Sequence, residues 1–109
     1  MKVLILPEVR QYFYEVQHIL YEKDYFSYYE DAERYIEELI EDIKKNLPQK
    51  PSKPAPKYFD QFGKNMDFAA FKKNKQTTWY VFFDVYKEEK EIIYLVRHIE
   101  NNHTAAQYL

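Results

Sequence analysis

The sequence predicts an α+β fold, in which an antiparallel helical hairpin precedes a strand-rich half and packs against its sheet. Three observations predict it. Apolar residues recur at helical spacing through residues 7–47, and β-branched and aromatic residues concentrate in runs within residues 58–109. A proline-rich strap, 48–57, lies between these halves, and neither half alone has enough residues for a core. We therefore expect a single domain over residues 1–109.

The first half begins with a short strand and continues into a helix. Lys2–Leu6 is a short apolar run with β-branched residues, which predicts a strand. Pro7 suits the first turn of a helix, because that turn does not need its N–H group. The apolar residues that follow have helical spacing: Val9, Phe13, Val16 and Leu20.

A second helix start is predicted at Ser27, because Ser27-Tyr28-Tyr29-Glu30 has the pattern of a capping box. The apolar stripe that follows comprises Tyr28, Ala32, Tyr35, Ile36, Leu39, Ile40, Ile43 and Leu47. Lys44 and Lys45 lie in the last turn, where positive charges interact favourably with the helix dipole, and Pro48 ends the helix. A short connection between two amphipathic helices predicts antiparallel packing.

The strap should be an extended connector without helix, since it contains Pro48, Pro51, Pro54 and Pro56.

Three strands are predicted after the strap. Phe68–Lys72 predicts a weak strand, Thr77–Tyr86 a central strand with two apolar faces, and Ile92–Ile99 a second strong strand. Turns at 73–75 and 87–90 should join them into an antiparallel meander on the helices. Thr104 is predicted to cap a closing helical turn over residues 104–107.

Composition and charge bound the class of protein. Aromatic residues make up 19% of the chain, which predicts a folded protein. The absence of Cys excludes a disulfide scaffold, and the N-terminal apolar run is too short for a signal peptide or a membrane span, so we expect a cytoplasmic protein. The net charge is −2, yet the stretch 50–75 is rich in lysine, which favours a polyanion-facing surface or, alternatively, a merely solvated one.

The order of these elements resembles the RelE/ParE family of bacterial type II toxins. Ile92–Ile99 is similar to the last strand of that family, in which basic and His residues follow an apolar run, and members often place functional residues in the tail, here 101–109. The resemblance implies a metal-free, ribosome-dependent mRNA endoribonuclease without a cofactor. It also implies a cognate antitoxin protein that covers the active face, and it leaves a homo-oligomer open.

RNA cleavage without a metal needs a base, a cation and an acid. The candidate catalytic residues are Arg97, His98, His103 and Tyr108, and the candidate RNA-binding residues are Lys72, Lys73 and Lys75. His98 and His103 alone are too few ligands for zinc, so no metal site is expected.

Strand geometry sets a condition on this site. Side chains alternate along a strand, so Arg97 should share a face with Leu95, and His98 one with Val96. The two meet only if a bulge or fraying at Ile99 interrupts the alternation. We expect the helices to cover one face of the sheet and leave a cationic face open.

Structural roles compete with these functional ones. The alternative for Arg97 is an ion pair with the helices, and for His98 it is a hydrogen-bonded role within the strand. The alternative for His103 is a cap or surface residue, and for Tyr108 it is packing of the C-terminus. The lysines are alternatively solvated turn residues. A second hypothesis is a non-enzymatic protein binder of the same fold, such as a gyrase poison or an interaction module, because Thr77–Tyr86 has no basic residue. A third is a structural protein without toxicity.

Overall fold

The computed structural model describes residues 1–23 and 26–109, which form two long helices against a mixed sheet of five strands. In chain order the elements are β1 Lys2–Ile5, α1 Pro7–Glu22, α2 Tyr29–Asn46, β2 Lys53–Pro54, β3 Asp67–Lys72, β4 Thr78–Glu88, β5 Glu91–Asn101 and the short α3 Asn102–Ala105. The α+β class is confirmed. The short connection predicted between the helices includes positions 24 and 25, which lie outside the described residues.

The sheet has the order β1-β5-β4-β3-β2. The predicted meander is confirmed, since β3, β4 and β5 are antiparallel neighbours and β4 is central. β1 adds a parallel strand beside β5, with Ile5 opposite Val96. β2 is an edge strand of two residues that includes Pro54, in a position where proline is tolerated.

The helices bury most of their predicted stripes on one face of the sheet, although Tyr28 lies before α2 and is exposed. The core residues they contribute include Val9, Phe13, Val16, Ile36, Leu39 and Ile43, which pack on Ala69, Phe71, Trp79, Val81, Phe83, Val96 and Ile99. Trp79 is 2% exposed, and its Nε1–H donates to the hydroxyl of Tyr35 at 2.9 Å. This bond ties α2 to the start of β4.

The helix cap predicted at Ser27 is wrong. α2 begins at Tyr29, with Tyr28 extended as its N-cap, and no described side chain caps that turn. The start is held instead by a tertiary contact, since Gln17 Nε2 donates to the Tyr29 hydroxyl at 2.9 Å. α3 begins at Asn102, where the side chain of Asn101 accepts the His103 backbone N–H at 2.9 Å, while the cap predicted for Thr104 rests on a side chain outside the described ones.

The prediction that the strap has no helix is also wrong. Two 3-10 helices, Leu47–Gln49 and Lys57–Gln61, flank β2, and a proline suits the first turn of the former because its N–H is not needed there. The segment 55–66 then covers the second face of the sheet. Phe59 and Met66 are fully buried there against Phe82 and Ala105. The expectation of an open face is therefore contradicted, because this segment supplies a second apolar layer.

Candidate active site

A β-bulge brings Arg97 and His98 onto the same face of the sheet. Phe82 pairs with His98 and Phe83 with Val96, so Arg97 is an extra residue in β5. Val96 and Ile99 consequently both face the helices, while Arg97 and His98 both face the segment 55–66. The predicted division, with His98 on the face of Val96, is wrong because the alternation breaks at this bulge.

The bulge borders a cleft of about 440 Å³ between α1 and the segment 55–66. Its lining comprises Glu8, Val9, Tyr12, Phe62, Arg97, His98, Ile99 and Glu100. β1 pairs with β5 only as far as Val96, where the Leu6 N–H donates to the Val96 carbonyl at 3.1 Å. Beyond that point no strand among the described residues covers this edge of β5, and the cleft lies along it.

His98 is held in place from two directions. Its ring stacks on Phe62 at a centroid distance of 3.7 Å and an interplanar angle of 5°. Its Nε2 lies 2.9 Å from Glu100 Oε1, and the two side chains are only 19% and 16% exposed. Because a carboxylate accepts hydrogen bonds, Glu100 favours the tautomer with hydrogen on Nε2 and leaves Nδ1 free to accept a proton.

Arg97 lies beside this pair as an exposed cation. Its Nη1 donates to Asp84 Oδ2 at 2.8 Å, so it pairs with β4 rather than with a helix. The backbone of the segment 55–66 approaches it closely, since a Cβ built on Gly63 would lie 3.2 Å from Arg97 Nε. Two of the predicted catalytic residues, Arg97 and His98, therefore lie together. Beside them is the carboxylate of Glu100, which was not among the predicted site residues.

Two tyrosines near Glu100 were also missed. Burial, and then the carboxylates of Glu100 and Glu15, raise the pKa of Tyr12 on α1. Desolvation by packed neighbours, and then Tyr108 and Glu100, raise the pKa of Tyr58. The spacing of Glu100 two residues after His98 was a signal that could have been used, since such residues share a strand face. Tyr12 reaches the cleft only through the tertiary fold.

Neither Tyr108 nor His103 lines the cleft. The Tyr108 ring stacks on Tyr58 with centroids 3.6 Å apart, which fits the packing of the C-terminus that was the alternative for this residue. His103 is exposed in α3, after the end of β5. The structure thus does not bring all four predicted catalytic residues together.

The candidate RNA-binding lysines lie at the turn between β3 and β4. Lys72 is opposite Thr78, four residues along β4 from the Phe82–His98 pair, which is about 13 Å at about 3.3 Å per residue. Lys73 lies over the Tyr35 ring at 5.4 Å, and Lys72 and Lys75 are exposed. These lysines and Arg97 do not form one patch.

Comparison with protein-family models, with curated proteins and with solved structures found no match for this chain. Within the described residues, no helix is both long and apolar enough to cross a membrane. The same residues contain no group of three or more His, Asp or Glu side chains arranged to hold a metal ion.

Proposed function

We propose that this protein is a toxin of the RelE/ParE kind, which cleaves mRNA on the ribosome without a metal. The observation that carries the proposal is the juxtaposition of Arg97 with the His98–Glu100 pair at the bulge. The order of strands and helices along the chain supports it, and a cognate antitoxin protein that covers the cleft belongs to the same proposal.

The side chains suit the first half of the reaction. His98 Nδ1 takes the proton of the ribose 2′-hydroxyl while Glu100 stabilises the imidazolium that forms. The 2′-oxygen then attacks the adjacent phosphorus. Arg97 stabilises the negative charge that accumulates on the phosphate oxygens, because a guanidinium stays charged and forks onto them. Asp84 positions that guanidinium in the free protein.

The test is cleavage of a translated mRNA by purified protein and ribosomes, mapped by primer extension. We expect His98→Asn to lower the rate by about 10²–10⁴-fold, the usual contribution of a positioned base. Arg97→Gln should cause a loss of similar size. Arg34→Gln is the matched control, because it also removes a charge that pairs with an aspartate on the surface, Asp31 of α2. Full activity in both site variants would contradict the proposal.

A second candidate function, binding of a target protein without catalysis, is favoured by the uncovered edge of β5. An extended segment of a partner can add to such an edge through backbone hydrogen bonds. This function predicts growth arrest with intact mRNA and a stable complex with the target. The same primer-extension experiment separates the two, since only the nuclease produces new RNA ends.

A further inference from the structure

We propose that Tyr12 is the general acid of this site, which protonates the leaving 5′-oxygen of the RNA. The inference rests on the proposed nuclease function and adds a residue that neither the sequence pattern nor the family resemblance indicates.

The positions of Tyr12 and His98 suit an in-line displacement. The attacking and leaving oxygens of a phosphoryl transfer lie on opposite sides of the phosphorus, so the base and the acid must approach from opposite sides. His98 lies against Phe62 on one wall of the cleft, and Tyr12 lies on α1, on the other wall. A phosphate between these walls would have the imidazole on one side and the phenol on the other.

The other polar residues of the cleft are poorly suited to this role. Glu8 and Glu100 carry carboxylates, which accept hydrogen bonds, and the guanidinium of Arg97 does not release its proton. His98 is the base in the proposed reaction and is already bonded to Glu100. Among the described lining residues, the Tyr12 hydroxyl is thus the neutral proton donor that remains.

The surroundings of Tyr12 keep its proton in place until the reaction needs it. The charged and titratable groups near it are Glu8 and Glu15 on α1 and Arg97, His98 and Glu100 on β5, while the segment 55–66 contributes the uncharged Phe62. Burial and the carboxylates of Glu100 and Glu15 raise the pKa of the phenol, so it is protonated at neutral pH. A phenol is a weak acid for this purpose, and we therefore expect a contribution near the lower limit of about 10²-fold.

The proton balance of the reaction closes. The 2′-oxygen forms a bond to phosphorus as its proton passes to His98, and the bond from phosphorus to the 5′-oxygen breaks as Tyr12 donates its proton. The products are a 2′,3′-cyclic phosphate and a 5′-hydroxyl end. Water then carries the proton from the imidazolium back to the phenolate, which restores both residues.

The decisive experiment compares two mRNA substrates, one normal and one with sulfur in place of the 5′-bridging oxygen at the cleaved position. A thiolate leaves without protonation, so the loss of a general acid should not slow its departure. We expect Tyr12→Phe to lower kcat about 10²-fold on the normal substrate with little change in KM, and to cleave the sulfur substrate at nearly the wild-type rate.

Two controls separate a chemical role of the hydroxyl from a structural one. Tyr14→Phe, an exposed residue of the same helix, should cleave both substrates as the wild type does. His98→Asn should remain slow on the sulfur substrate, because the attacking oxygen still needs a base. The fold of each variant is checked by its thermal midpoint.

The outcomes distinguish this inference from the proposed function. If the wild type cleaves and Tyr12→Phe is equally slow on both substrates, or unaffected on both, Tyr12 is not the acid although the nuclease function stands. If the wild type does not cleave translated mRNA at all, the proposed function fails and this inference fails with it.

Discussion

At the scale of single residues, Gly63 controls how closely the segment 55–66 approaches Arg97. Its φ is +157°, which residues with a Cβ rarely adopt, and a Cβ there would lie 2.9 Å from the sulfur of buried Met66 and 3.2 Å from Arg97 Nε. We expect Gly63→Ala to lower the free energy of unfolding by about 1–3 kcal/mol, because it overpacks a buried contact. Urea unfolding followed by Trp79 fluorescence measures this loss.

The neighbouring exposed residue provides the control for this prediction. Lys64→Ala changes the same turn without adding a buried atom, so its unfolding midpoint should stay close to that of the wild type. Equal midpoints for Gly63→Ala and the wild type would contradict the prediction, because they would show that the segment 55–66 accommodates the added methyl group without loss of stability.

At this scale the sequence indicates which residues are candidates for the site, but it does not show which of them lie close together in the fold. Arg97 and His98 were identified as candidates, and alternation along a regular strand separated them. A single extra residue in β5 reverses that conclusion, and bulges have no composition signal that would have placed this one. Tyr12 was missed for a different reason, since it lies 86 positions before His98 and reaches the cleft only because α1 packs beside β5.

At the scale of elements, the helices were predicted well because their apolar stripes are long and periodic. Their ends were predicted less well, since a side-chain capping pattern at Ser27 competes with a tertiary bond between Gln17 and Tyr29 that sequence spacing does not reveal. The apolar stripe of α2 determines which side of the helix packs on the sheet, and the Tyr35–Trp79 hydrogen bond fixes the position of α2 on β4.

That bond leads to a prediction about stability and pH. Tyr35→Phe leaves the indole N–H of Trp79 without its acceptor, which should cost about 1–3 kcal/mol at neutral pH. Burial raises the pKa of the Tyr35 phenol, and the Trp79 hydrogen bond lowers it by a smaller amount. The unfolded chain therefore loses this proton first as pH rises, so the stability that Tyr35 contributes is complete below about pH 10 and falls above it.

The stability difference between the wild type and Tyr35→Phe should accordingly narrow above about pH 10. Urea unfolding followed by circular dichroism at several pH values measures it. Tyr14→Phe serves as the control, since this tyrosine is 59% exposed and should leave stability nearly unchanged. A difference that stays constant or widens at alkaline pH would contradict the assigned sign.

At the scale of the whole molecule, the strap was the part that sequence analysis predicted least. Its four prolines indicate an extended connector, and they conceal that the residues just after it, 58–62, carry two aromatic rings, Phe59 and Phe62, into a second core. Apolar residues that do not recur at helical or strand spacing do not indicate which face of the sheet they pack against. The same limit applies to the lysines at 72–75, which the sequence groups with Arg97 and the sheet separates along β4.

The two cores share β4, because successive side chains of this strand enter opposite faces. Val81 packs under the helices and Phe82 under the segment 55–66. A disturbance on the segment side should therefore destabilise the helix side as well. Phe59→Ala removes a fully buried ring from the second core and should lower the free energy of unfolding by about 3–5 kcal/mol.

Trp79 makes this coupling measurable, since it is the single tryptophan of the chain and lies in the helix-facing core. We expect its fluorescence transition in urea to move to lower concentration in Phe59→Ala and to stay in place in Lys57→Ala, an exposed change in the same 3-10 helix. A segment that folded separately would become sensitive to protease in Phe59→Ala while the Trp79 transition kept its midpoint. The total free energy of unfolding of a small domain is about 5–15 kcal/mol. A coupled loss of the expected size would therefore remove a large part of the stability of the whole fold, including the cleft.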